Sequence, residues 1–80
     1  MPVLRLFAAA REAAGTGRDD LPGATVGEVL EAARTRYGAA FSALLPSCRV
    51  WRNGESAAES DPVDPSDEVA VLPPVSGGSP

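Results

Sequence analysis

Apolar and polar positions along this chain change period several times, and each change marks an element. Val3, Arg5 and Phe7 alternate with Leu4, Leu6 and Ala8, which predicts a first strand over residues 3–8. Residues 9–14 are Ala-rich, carry Arg11 and Glu12, and predict a short helical turn stopped by Gly15. Thr16 and Gly17 form a loop, and residues 18–21 fit a second strand antiparallel to the first, ended by Pro22-Gly23. The period then becomes helical. Thr25-Val26-Gly27-Glu28 is a capping box, in which the hydroxyl accepts from a free backbone N–H and Glu28 reaches back. Val26, Val29, Leu30, Ala33 and Tyr37 follow as one apolar stripe, with Gly38 as the stop. Glu31 lies three residues before Arg34 and adds local support.

Phe41, Leu44 and Leu45 predict a second short helix ended by Pro46. Residues 48–52 predict a strand, Asn53-Gly54 its tight turn, and residues 55–58 the return strand. Residues 60–67 hold Pro62, Pro65 and three Asp and form a loop. Residues 68–72 predict a last strand buried on both sides, ended by Pro73-Pro74. Residues 75–80 have no evident packing partner and are expected to form a mobile tail on a domain of residues 1–74. Two strands, a covering helix and three more strands make an α+β roll. Its sheet has one covered face, and the last strand is expected in the middle, beside the first.

Composition narrows the chemistry. Eighty residues make one small domain with a modest core and no room for a large internal cofactor. The four aromatics, Phe7, Tyr37, Phe41 and Trp51, are expected to anchor much of the packing. The net charge of −4 disfavours a nucleic-acid partner, because phosphate binding needs a basic face. All seven basic residues are Arg, which fits a GC-rich coding bias. There is no His, so no metal site is expected, and Cys48 is alone, so no internal disulfide forms. No apolar run approaches bilayer length and no signal peptide is evident, so the expected compartment is the cytoplasm.

The run Asp67-Glu68-Val69-Ala70-Val71-Leu72-Pro73-Pro74-Val75-Ser76-Gly77-Gly78 resembles the end of the MoaD/ThiS sulfur-carrier family. The opening Leu6-Phe7-Ala8-Ala9-Ala10-Arg11-Glu12-Ala13-Ala14-Gly15 resembles the MoaD branch, the small subunit of molybdopterin synthase. Thr25-Val26-Gly27-Glu28-Val29-Leu30 and Asn53-Gly54-Glu55 sit where that family has similar segments. The resemblance implies a β-grasp, ubiquitin-like fold: a mixed sheet of four to five strands with one main helix packed on it. It implies a carrier rather than an enzyme, binding no cofactor itself. A ubiquitin-activating-like adenylating enzyme uses ATP and Mg²⁺ to convert the carboxylate of Gly78 to an acyl-adenylate, and sulfur then leaves a thiocarboxylate there.

The same resemblance implies that Val75, Ser76 and Gly77 thread into partner active sites, and that Phe7, Arg11, Trp51, Leu72, Pro73 and Pro74 form the partner surface. The sulfur acceptor would be the pterin precursor held by a sulfurtransferase large subunit. Cysteine, thiazole and secondary-metabolite pathways use look-alike carriers. Family members ready for activation stop at the second Gly, whereas this chain continues with Ser79-Pro80. Removal by a protease, often of the JAMM type, is expected, against the alternatives of an artificial extension or lost carrier function.

Physical logic agrees with the tail reading. Four extended residues, Val75 to Gly78, reach about 13–14 Å. Gly77 and Gly78 lack Cβ atoms and fit a narrow channel. Pro73 and Pro74 stiffen the exit. Cys48 reads as a small buried hydrophobe in a strand, with no basic neighbour to activate it. Trp51 falls on the face opposite Cys48 and Val50, so it is either packing or interface; Phe7 is balanced between core and interface, and Arg11 leans to the interface. Asp61, Asp64, Asp67 and Glu68 lack the spacing of a Ca²⁺ loop and read as turn formers. A ubiquitin-like interaction module that never carries sulfur is the second function class.

Overall fold

The computed structural model describes residues 1–74. In chain order the elements are β1 (Val3–Leu6), α1 (Ala8–Ala14), β2 (Arg18–Asp20), α2 (Val26–Tyr37), α3 (Ala39–Leu44), a 3-10 turn (Leu45–Ser47), β3 (Arg49–Arg52), β4 (Glu55–Ser56) and β5 (Glu68–Leu72). The five strands form one mixed sheet in the order β2-β1-β5-β3-β4. β5 lies in the middle, parallel to β1 and antiparallel to β3. This is the β-grasp arrangement.

Strand alternation decides what is buried. The β1–β5 register pairs Leu4 with Val69 and Leu6 with Val71, so all four side chains face the helices. Val26, Val29, Leu30 and Ala33 of α2 meet them, and Phe41 of α3 closes the core. Thr25 caps α2 by accepting from the Glu28 N–H at 3.2 Å, while the Glu28 carboxylate accepts from the Ala24 N–H at 2.8 Å. Gly23 permits the close seating of α2: a Cβ there would lie 2.7 Å from the Val29 backbone nitrogen. Asn53 and Gly54 both take positive φ, 52° and 85°, as a two-residue hairpin of this type demands.

Several sequence expectations are corrected. β1 ends at Leu6, because Phe7 caps α1 and the helix begins at Ala8, which is exposed rather than sharing the face of Leu4 and Leu6. β2 and β4 are each shorter than expected, and Cys48 precedes β3 instead of lying in it. Pro46 does not end the chain's helical path but sits within the 3-10 turn, where its missing N–H costs nothing. β5 is buried on one side only: Val69 and Val71 are covered while Glu68, Ala70 and Leu72 are half-exposed. Of the four aromatics only Phe41 is fully buried. Tyr37 packs edge-on against it at 5.2 Å, Phe7 is 40% exposed, and Trp51 lies on the open side of the sheet.

Candidate functional site

The site is the end of the sheet from which β5 leaves, together with the sheet's uncovered face. β1 and β5 run in the same direction, so their C-terminal ends lie side by side. The Phe7 N–H donates to the Val71 carbonyl at 3.3 Å, and the Phe7 carbonyl accepts from Ala10 and Arg11 at 3.1 and 3.3 Å. Phe7 therefore joins three things at one point: the end of β1, the start of α1 and the last turn of β5. Leu72 and Pro73 are half-buried beside it, and Pro74 is exposed. Val75, Ser76, Gly77, Gly78, Ser79 and Pro80, which carry the tail and processing expectations, lie outside the described residues.

On the open face, cross-strand register places Arg5, Ala70 and Trp51 in a row across three strands. Ala70 thus places no long side chain between Arg5 and Trp51 on this face. The Arg5 guanidinium sits 5.8 Å from the Phe7 ring centroid and 3.2 Å from the Glu68 carboxylate. Arg49 lies opposite Leu72 and is exposed. Arg11, also exposed, runs over Gly17, where a Cβ would lie 3.2 Å from its Nε. An open groove of about 620 Å³ is lined by Val3, Arg5, Arg11, Thr16, Arg18 and Glu68. Among the described residues Arg11, Arg18 and Arg49 have no carboxylate partner, so this face is locally basic on an acidic chain.

The structure thus sets Phe7 against Val71, the residue before Leu72, Pro73 and Pro74, and starts α1 there, while the Arg11 side chain of that helix lies over Gly17 on the β2 side. Trp51 stands apart, on the far side of β5. Sequence reasoning missed Arg5, Ala70 and Arg49 as members of this surface. The alternation of Val3 and Arg5 with Leu4 and Leu6 was the signal available for Arg5.

The remaining titratable groups serve the scaffold. The Tyr37 hydroxyl donates to Asp19 at 2.7 Å, and Arg36 reaches the same carboxylate at 2.7 Å, which ties β2 to α2. The hydrogen bond from Tyr37, aided by Arg36, holds the Asp19 carboxyl below its ordinary pKa. Burial and Asp19 push the Tyr37 phenol well above its ordinary value. Burial also raises the Cys48 thiol, whose Sγ donates to the Leu44 carbonyl at 3.5 Å. The Asp64 N–H and the Asn53 amide lower the Asp67 carboxyl and fix the turn before β5. Among the described residues no cluster of three or more His, Cys, Asp or Glu could hold a metal, and no helix is long and apolar enough to cross a membrane.

Comparison with known proteins agrees with this geometry. The ThiS family matches residues 4–78, so the match stops at Gly78. Small archaeal modifier protein 1 of Haloferax volcanii is 42% identical over 84 aligned positions, spanning 92% of this chain and 97% of that protein. The solution structure of small archaeal modifier protein 1 from Methanosarcina acetivorans superposes with a TM-score of 0.84 at 31% identity, over 95% of this chain and 94% of that one. The crystal structure of the Amycolatopsis orientalis BexX/CysO complex contains a chain with the same fold, at a TM-score of 0.82 and 21% identity, over 98% of this chain and 100% of that one.

Proposed function

The chain belongs to the ThiS family of ubiquitin-like sulfur carriers, and from that premise we propose that the carboxyl of Gly78 is its working group. A carboxylate is a poor electrophile. Its attack on the α-phosphate of ATP, in a ubiquitin-activating-like enzyme that holds Mg²⁺, expels pyrophosphate and makes an acyl-adenylate. The terminal sulfur of a donor persulfide then attacks the carbonyl and expels AMP, and a second thiol cleaves the S–S bond of the resulting acyl persulfide, leaving a thiocarboxylate and a disulfide. The carrier contributes no acid or base to these steps. It contributes a rigid globule, a slim terminus and a surface that docks.

The observation that carries this reading is the parallel pairing of β1 with β5, which delivers Pro73 and Pro74 to the edge of the domain just before the Gly77-Gly78 pair. Phe7, Leu72, Pro73 and Pro74 lie at that exit, Arg11 extends the contact on the β2 side, and Trp51 extends it across the open face. These residues serve first the adenylating enzyme and then a sulfurtransferase large subunit. The MoaD-like opening around Phe7 and Arg11 favours the molybdopterin precursor as sulfur acceptor. Ser79 and Pro80, beyond the end of the family match, are removed first by a protease, for which a JAMM-type metalloenzyme is the candidate class.

The test compares the full chain with a chain ending at Gly78, each mixed with the cognate adenylating enzyme, ATP and a sulfur source. Only the shortened chain is expected to release AMP and to gain the mass of one oxygen exchanged for one sulfur. Equal AMP formation by both contradicts the processing step, and no mass gain by either contradicts the carrier reading. The 42% identity to a protein described as a modifier supports a second reading, in which the activated carboxyl is joined to amines of other proteins.

A further inference from the structure

We infer that this chain's side chains offer no acceptor for an acyl group, so its activated carboxyl is not joined to side chains of its own kind and builds no branched chains of itself. This rests on the reading of Gly78 as an activated carboxyl. Three observations carry it. All seven basic side chains are arginine, whose guanidinium stays protonated and offers no lone pair to a carbonyl, whereas a lysine amine would. The thiol of Cys48 is half-buried and donates to the Leu44 carbonyl. The phenol of Tyr37 donates its proton to Asp19 at 2.7 Å. Hydroxyls of Ser and Thr remain, but the sequence has no His to activate them. A GC-rich coding bias would account for arginine at all seven basic positions. It does not explain why the thiol and the phenol are both half-buried and hydrogen-bonded.

Within one molecule the topology also keeps the tail from the α-amine of Met1, which is exposed and stays open to a second copy. Met1 precedes β1 at the end where β5 begins, and Pro2 behind it is buried. From the level of Val3 and Glu68 to Pro74 the strand rise amounts to about 20 Å. Four extended residues beyond Pro74 span only about 13–14 Å. A terminus leaving β5 therefore cannot turn back to its own α-amine.

The step at issue is aminolysis. An amine lone pair attacks the activated carbonyl, the C–N bond forms, the bond to the leaving group breaks, and the ammonium proton passes to solvent. A Gly78-ended chain prepared as a small-thiol thioester by intein cleavage tests this without any adenylating enzyme, so failure here is distinct from failure of the carrier reading. Incubated alone at mildly alkaline pH and followed by intact mass and peptide mapping, the native thioester is expected to hydrolyse without forming an amide to any side chain, and to acylate an added lysine peptide. Arg49→Lys keeps the charge and places an amine opposite Leu72, at the root of the tail. Its thioester is expected to close to an internal amide at least about tenfold faster than the native chain forms any amide, independent of concentration. Arg34→Lys, on α2, is expected to give concentration-dependent dimers instead. Amide formation by the native chain at the Arg49→Lys rate overturns the inference, as does peptide mapping of a native product to any of its own side chains. So does complete inertness of Arg49→Lys and Arg11→Lys thioesters alike, because amines would then not be what the native surface lacks.

Discussion

Leu4, Leu6, Val69 and Val71 are at most 2% exposed, whereas Val3, Arg5 and Ala70, one residue along the same strands, remain half-exposed, as does Trp51 on β3. The same short stretches therefore build two surfaces with different duties. The covered face is uniform in chemistry, Leu and Val, because its task is to exclude water against α2 and α3. The open face mixes an aromatic, an alanine and arginines, and spends little on the fold. The contrast shows how a domain this small separates stability from recognition: it uses the pleat of the strand.

The sharpest way to break that contrast is on the covered side. Leu4→Ala is expected to lose about 3 kcal/mol in urea unfolding, since a cavity opens beneath a fully buried position. Trp51→Ala, across the sheet, should lose about 1 kcal/mol or less and instead weaken capture by the adenylating enzyme. Equal losses for the two variants would mean that both faces hold the fold together. Next comes Gly23→Ala, whose added Cβ meets the Val29 nitrogen at 2.7 Å. About 2 kcal/mol should be lost as α2 lifts, with amide shifts in NMR confined to the helical side.

Tyr37→Phe removes the hydrogen bond that ties β2 to α2 and should cost about 1 kcal/mol at neutral pH. The pH profile sharpens this case. The folded pKa of Asp19 lies below its ordinary 3.8, so its contribution is present above that value and is lost as pH falls through the lowered one. The folded pKa of Tyr37 lies above its ordinary 10.0, so its share is intact below 10.0 and is lost as pH rises toward the raised value. Thermal melts across pH should show both declines in the native chain, and Tyr37→Phe should erase the alkaline one. The smallest effect belongs to Arg5→Gln. Its exposed pair with Glu68 should contribute about 0.5 kcal/mol or less, and salt should remove the difference.

The elements were legible where local chemistry is strong. The capping box at Thr25, the stripe from Val26 to Tyr37, the Asn53-Gly54 turn and the bounds of β5 all appear as the pattern dictates. Burial was less legible because it depends on what lies across the sheet. Val69 to Leu72 reads as uniformly apolar, yet among the described residues only one side is covered, since no described helix packs on the other. Val63 sits in a stretch that reads as pure loop, but its N–H donates to the Ala24 carbonyl at 3.0 Å and its side chain enters the core. Of the candidate site, the exit residues Leu72, Pro73 and Pro74 were readable from the tail motif. The row of Arg5, Ala70 and Trp51 was not, because it exists only once β5 inserts between β1 and β3.

That insertion governs how the molecule comes into being. The seam between β1 and β5 joins Val3 to Glu68, so the middle of the sheet waits for nearly the last residues of the domain to leave the ribosome. Helix α2 can form early, but it has no complete surface to rest on until β5 arrives. A newborn or damaged chain lacking that strand loses its core and the mounting for its terminus in the same event. Under the proposed function, a failure of the fold therefore also removes the docking surface on which the activation of Gly78 would depend.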